Sequence, residues 1–260
     1  KITELDTIPK LTPGLGPWLS LNPAEAALES IKAETELAEY LRENHKIITV
    51  AGNIGLGKTA TTRIFAHDLG INGSYELDAE HDLIDHELLG QFLLDKPRYC
   101  YDLQRDLLKR RMIMREKNGG NGKSVIEDRS PEEDPAVFHV RFRDQGFLTQ
   151  KQYDILQAES RKAYRTAPHS DLMIVLQGRP KLSRERILQR GRSEEVDAWP
   201  ESELREFAEI YERFPGKVSD YGLHQGPVMV LDVEKIDTTS KVHLGYLYKT
   251  MFKALRQTTA

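Results

Sequence analysis

"ITVAGNIGLGKTATTRI", residues 48–64, runs from a β-branched stretch through a glycine-rich turn and a lysine into a helix-forming segment. Gly52-Asn53-Ile54-Gly55-Leu56-Gly57-Lys58-Thr59 is a complete G-x-x-x-x-G-K-[ST] pattern. Its place between an apolar strand and a helix is the context in which that pattern holds phosphate. The glycines let backbone amides turn inward without Cβ clashes, building an anion nest at a helix N-terminus. Lys58 then bridges the terminal phosphates, and the Thr59 hydroxyl is placed to take Mg²⁺. The stretch predicts a site for ATP or another NTP. It leaves the acceptor open, because hydrolases, switches and small-molecule kinases share the loop.

Outward from the loop, short apolar runs alternate with longer helical patterns. Strands are predicted at 47–51, 124–127, 172–177 and 228–232, with a less apolar one near 73–79 at an edge. The four strong runs lack polar alternation, as strands buried on both faces of a parallel sheet do. Helices are predicted over 58–69, 83–117, 132–167 (broken near Gly146), 181–192, 202–213 and 240–256. This order predicts a doubly wound, parallel, five-stranded α/β sheet of P-loop NTPase type, flanked by helices. One such domain spans 46–260. Residues 1–45 precede it as an irregular, proline-rich arm and a helix that starts after Asn22 with Pro23 in its first turn.

Composition narrows the partners. A net charge of −4 gives no general attraction to nucleic acid polymers or anionic membranes. No apolar run approaches the ~20 residues that span a bilayer. The single cysteine, Cys100, excludes an internal disulfide and fits a reducing compartment. Residues 1–20 carry no signal-peptide pattern, and the first residue is Lys1 rather than Met. A cytoplasmic location is expected, with an organelle matrix as the alternative should a targeting segment have been removed.

Two later segments address the acceptor: "SVIEDRSPEEDPAVFHVRFRDQGFLTQKQYDIL" at 124–156 and "LMIVLQGRPKLSRERILQRGRSEE" at 172–195. An acid at the end of the third strand, Asp128, can hold Mg²⁺ beside the loop, and the adjacent Arg129 can orient the acceptor oxygen. Arg186 and Arg190 share a helix face at i, i+4. With Arg192 they could neutralise charge developing on a transferring phosphoryl group. Together with the phosphate loop, these segments resemble the deoxynucleoside kinases, and the bacterial deoxyadenosine/deoxyguanosine kinases in particular. The resemblance runs from about residue 46 to the C-terminus.

It implies specific roles. Asp128-Arg129-Ser130 matches the family's [DE]-R-S motif, and Arg186, Arg190 and Arg192 match its arginine-bearing lid. Glu195 corresponds to the residue that binds the sugar 3′-hydroxyl. "FLLDKPRYCYDLQRDLLKRRM" at 92–112 resembles the helix whose glutamine, here Gln104, pairs with the base edge. Arg111, two turns on, and Asp134 take the places of the base-reading pair in kinases for deoxyadenosine, deoxyguanosine and deoxycytidine. If both line the pocket, thymidine should be a poor substrate. A homodimer is the family's usual assembly.

Four departures stand out. The family's E-P base motif is absent from "SYELDAEHDLIDHELLGQF". Register places His81 there, and a one-residue shift selects Glu80 as catalytic base, with Glu76 as the alternative; none of the eight histidines has metal-ligand spacing. Leu93 stands where many relatives carry a tyrosine that binds the 3′-hydroxyl. Pro131 replaces a usual Ile or Val. The arm at 1–45, with Trp18 among leucines, is longer than a minimal kinase needs and could pack on the core or hold a partner. The expected reaction is phosphoryl transfer from an NTP to a deoxynucleoside 5′-hydroxyl, a purine ahead of cytosine. Two rivals stay open: a catalytically silent nucleotide-binding subunit, like the accessory subunit of respiratory complex I with this fold, and a nucleoside monophosphate kinase such as a thymidylate kinase.

Overall fold

The apolar runs meet at the centre of one sheet. The computed structural model describes residues 15–75 and 85–257, apart from the side chains of 193 and 194. Among these, strands β1 (Ile47–Gly52), β2 (Asn72–Ser74), β3 (Val125–Asp128), β4 (Leu172–Gln177) and β5 (Val228–Asp232) pair in parallel in the order β2-β3-β1-β4-β5. The chain fills one side of β1 with β2 and β3, then crosses to the other side for β4 and β5. That reversal opens a crevice beyond the carboxyl end of β1, where ligands of open α/β sheets bind.

Period-two geometry explains the missing polar alternation. Leu172, Ile174 and Leu176 of β4 face one apolar core with Ile48 and Val50, while Met173 and Val175 face the other with Ala51. The first core is covered by α2 (Pro23–Asn44), α3 (Lys58–Leu69) and α11 (Lys241–Gln257). Leu37 and Leu41 of α2 are fully buried there. A capping box between Asn22 and Glu25 starts α2. Before it, α1 (Leu15–Leu19) sets Trp18 edge-on to Tyr246, with centroids 6.2 Å apart. The described part of the N-terminal region thus packs on the rest of the fold. No described helix is long and apolar enough to cross a membrane.

Boundaries differ from expectation where proline and glycine act. The predicted helix 83–117 is two: α4 (His86–Leu94) and α5 (Lys96–Gly120). Pro97 cannot extend α4, and Asp95 caps α5 by accepting from the Arg98 amide. The predicted 132–167 helix breaks at Gly146 as expected, giving α6 (His139–Asp144) and α7 (Gln150–Tyr164). Its start, Asp134–Phe138, is a π-helical turn, a form concentrated at functional sites. The predicted 181–192 helix is α8 (Pro180–Arg190), ended by Gly191, with the short α9 (Ser193–Ala198) and α10 (Glu201–Arg213) following. The edge strand ends at Ser74; positions 76–84 of the predicted edge strand and loop lie outside the described residues.

Two buried histidines give the fold an acid limit. Burial, reinforced by the Arg111 guanidinium, lowers His139 to about 3. Burial likewise lowers His224, which pairs with the Ser170 hydroxyl at 2.7 Å, to about 4. Unfolded imidazoles take their proton near pH 6.5, so from there downward the unfolded chain binds more protons than the folded one. Stability should fall as pH drops from 6.5 towards 4, by up to about 1.4 kcal/mol per pH unit for each histidine. Urea unfolding at pH 7.5, 6 and 5 reads this slope, and His139→Leu should flatten it.

Candidate active site

The phosphate loop leaves β1 at Gly52 and enters α3 at Lys58. Gly52 has φ +141°, and a Cβ there would sit 2.7 Å from the Leu176 carbonyl oxygen. Gly55, at φ +80°, lies equally close to the Ser183 carbonyl, 2.6 Å from where its Cβ would be. Neither position admits another residue without moving backbone. Lys58 Nζ donates to the carbonyls of Gly52 at 2.7 Å and Asn53 at 3.1 Å, which closes the loop around its ammonium. The Asn53 side chain turns outward to the Leu204 carbonyl of α10, at 2.8 Å.

A cleft of about 570 Å³ opens beside the loop. Ile54, Gly55, Gly57, Lys58 and Thr59 form its polar end, joined by Asp128, Arg129, Arg186, Arg190 and Arg192. Gln104, Arg111 and Asp134 line the same cleft, with Leu103, Leu107, Phe138 and Phe142. The structure therefore brings together fourteen predicted residues from six elements and three loops, counting Glu195 on α9. Gly52, Asn53 and Leu56 belong to the loop but face elsewhere; Leu56 lines a second cavity described below. Glu80 and its alternative Glu76 lie outside the described residues, as does His81.

Local chemistry fixes several of these groups. Thr59 Oγ1 donates to Asp128 Oδ2 at 2.5 Å. A hydroxyl and a carboxylate together at the end of the phosphate loop are hard oxygen donors, the type Mg²⁺ selects. Arg129 has φ +86°, and apart from His45 no other described non-glycine residue has a positive φ. Such a conformation costs about 1–3 kcal/mol and persists only where its surroundings over-determine it. Here the Arg129 amide donates to the Val50 carbonyl at 2.9 Å, and its guanidinium lies 5.0 Å from the centroid of the Phe138 ring. Arg111 and Asp134 form a buried ion pair, both reaching the cleft. Asp134 is fully buried and Arg111 nearly so, so the pair forms part of the packed wall of the cleft.

The arginine segment is tied to the loop and to itself. Arg186 donates to the Leu56 carbonyl at 2.6 Å. Arg190 and Arg192 both reach Glu195, at 3.4 and 2.9 Å. The glutamate expected at the sugar thus also bridges two expected phosphate arginines. Leu93 is not in the cleft wall; it packs against the second core, and Leu89 and Phe92 of α4 face the cleft instead. The missing tyrosine therefore says nothing direct about the described cleft.

Several site residues escaped sequence reasoning. Trp199 lines the cleft one helical turn after Glu195, and Phe138 one turn after Asp134. The i, i+4 spacing was a usable signal for both. Trp199 is held by Lys96, whose ammonium sits 4.2 Å from its ring centroid and bonds the Ala198 carbonyl and Glu203. Glu133 left no signal, since a glutamate inside "PEED" reads as a solvated charge run.

A phosphate loop opening onto a cleft lined by arginines, acids and aromatic rings suits a nucleotide-dependent enzyme acting on a small acceptor. Residues 48–249 match the deoxynucleoside kinase family, and the chain belongs to that family. It is 29% identical over 204 residues to a deoxyadenosine/deoxycytidine kinase of Bacillus subtilis (strain 168), covering 76% of this chain and 88% of that protein. It is 25% identical over 209 residues to a deoxyadenosine kinase of Dictyostelium discoideum, with 80% of each covered. The fold is similar to that of deoxyadenosine kinase from M. mycoides with bound dATP, at TM-score 0.63 and 24% identity over 76% of this chain and 96% of that one. The same enzyme with bound dCTP gives 0.60 at 24% identity, over 76% and 95%.

Proposed function

We propose that this deoxynucleoside kinase moves the γ-phosphoryl group of ATP, or another NTP, to the 5′-hydroxyl of a purine deoxynucleoside, with deoxycytidine a weaker and thymidine a poor acceptor. The observation that carries this reading is the Arg111–Asp134 pair, which lines with Gln104 the cleft that the phosphate loop opens onto. Adenine offers an exocyclic amine to Asp134 and ring nitrogens to Gln104; guanine offers O6 and N7 to Arg111. Thymine would set a carbonyl and a methyl group against the carboxylate. A site built from buried polar groups rejects a ligand that leaves them unpaired. Deoxyadenosine is named as a substrate of both curated relatives, and deoxycytidine of one.

In this reading the donor phosphates lie in the loop over Lys58, and Thr59 and Asp128 hold Mg²⁺, which would offset phosphate charge. The donor base extends into the second cavity, of about 630 Å³, which shares Gly57 and Arg186 with the cleft. Glu80, or Glu76, accepts the 5′-hydroxyl proton as the new O–P bond forms, and Arg129 orients the oxygen. The bond from the γ-phosphorus to its bridging oxygen breaks, and the NDP leaves. Arg186, Arg190 and Arg192 stabilise the charge that develops. Glu195 exchanges its arginine partners for the sugar 3′-hydroxyl. A homodimer, a cytoplasmic or organelle-matrix location and a partner for the first residues belong to the same proposal.

The test is a transfer assay with MgATP and a panel of deoxyadenosine, deoxyguanosine, deoxycytidine, thymidine and the matching ribonucleosides. Purine deoxynucleosides should exceed thymidine by about 10²-fold or more in kcat/KM. Comparing Glu80→Gln with Glu76→Gln should show a loss of about 10²–10⁴ for the first alone. No turnover of any nucleoside, with MgATP still bound, overturns the proposal.

A further inference from the structure

We infer that Glu133 is a positioning residue that fastens the phosphate loop, the D-R-S segment and α10 into one frame, so that donor and acceptor are aligned by a single carboxylate. The inference rests on the kinase reading above and adds to it a residue with no contact to the cleft.

Glu133 is fully buried, and three donors converge on it. Oε1 accepts the Gly52 amide at 3.1 Å and the Tyr211 hydroxyl at 2.5 Å. Oε2 accepts the Ser130 amide at 2.8 Å. The Arg129 guanidinium lies 3.8 Å from Oε1. Each donor belongs to a different working part. Gly52 is the pivot at which β1 becomes the phosphate loop, and its carbonyl receives Lys58. Ser130 follows the strained Arg129, and Asp134 of the base end directly follows Glu133. Tyr211 sits on α10, whose Leu204 carbonyl also receives the Asn53 side chain. Burial and the facing carboxylate keep the Tyr211 proton on its oxygen well past its ordinary range, so the hydroxyl stays a donor.

The neighbours do not duplicate this arrangement. Glu132 turns its carboxyl to the Ser130 hydroxyl, with burial raising its pKa, and Asp134 pairs with Arg111. The middle acid of "EED" is the one that accepts the Gly52 amide of the loop. Hydrogen bonds to a carboxylate are the stronger kind, and a misplacement of about 1 Å at a reacting centre can cost 10²-fold in rate. A buried anchor common to both substrate sites is therefore a point of leverage on the geometry between them.

Glu133→Gln keeps the volume and one acceptor oxygen, but turns an NH₂ group towards at least one of the three donors. We expect kcat to fall about 10–100-fold, with the calorimetric Kd for MgATP and the KM for the nucleoside both rising. Tyr211→Phe removes one donor and leaves both amide bonds, so it should shift the same constants less; it also serves if the glutamine variant fails to fold. The double variant should lose no more than Glu133→Gln alone, because the two act through one group. A residue that only maintained the fold would lower the fraction of active protein and leave both constants alone. An MgATP Kd within twofold of wild type, a shift in one constant only, or multiplicative losses in the double variant overturns the inference. Since the MgATP Kd is measured without acceptor, it decides this point separately from turnover, whose absence in the wild type would instead defeat the kinase reading.

Discussion

Replacing Lys58 by alanine lowers kcat by about 10²–10³-fold, the loss found when one preorganised donor to a developing charge is removed. The side chain is 8% exposed at the foot of the cleft, tied to the Gly52 and Asn53 carbonyls. Alanine therefore removes a charge aimed at the phosphates and also the contact that curls the loop. Arginine does not rescue, because a planar fork is too large for a ring of carbonyls drawn around a point charge. The check is single-turnover transfer from MgATP at saturating deoxynucleoside. A rate within fivefold of wild type would remove Lys58 from the chemistry.

The largest stability effect is expected away from the cleft. Arg115 of α5 is fully buried and grips Glu127 of β3 through Nε at 3.1 Å and through a second nitrogen at 2.7 Å. A third nitrogen holds the Pro168 carbonyl at 3.2 Å, and Asn118 adds a bond to Glu127 at 2.8 Å. Arg115→Met strands the glutamate in the interior and should cost about 3–5 kcal/mol of unfolding free energy. Replacing both partners, as Arg115→Met with Glu127→Leu, should restore most of that loss, because a well-packed apolar pair can match a buried ion pair. Urea unfolding of the four proteins of the cycle separates the coupling from the single losses. A single-variant cost below about 1 kcal/mol would mean that water or a rearranged side chain reaches Glu127.

The contrast between Lys58 and Arg115 reflects what could be read from the chain. Lys58 stands in a local pattern: strand, glycine turn and helix follow one another within seventeen residues, and backbone physics fixes what they build. The strands were legible for a similar reason, since two-sided burial leaves unbroken apolar runs. Base-reading positions were reached only through resemblance, because Gln104, Arg111 and Asp134 are drawn from two turns of helix and a second segment. Arg115 and Glu127, or Glu133 and Gly52, are contacts between distant segments without a spacing rule; Arg115 and Glu133 alone read as surface charges. The split of the 83–117 helix was available in "DKP" and was outweighed by continuous helical periodicity. The π-turn at 134–138 had no local signal, as Pro135 is equally at home in the first turn of an α-helix.

The packing of α2 carries a lesson about boundaries. Sequence similarity to the family begins at residue 48, one position into β1. The folding unit begins earlier: Ala33, Leu37 and Leu41 share a core with Leu244, Leu247 and Met251 of α11, and the Tyr40 hydroxyl reaches the Leu255 carbonyl. A chain trimmed to the region of homology would keep every residue assigned to chemistry and lose α2 and the end of α11, part of the cover of one face of its sheet. Shared ancestry marks where a function is inherited, whereas hydrophobic burial decides where a protein can be cut; here the two limits lie about two dozen residues apart.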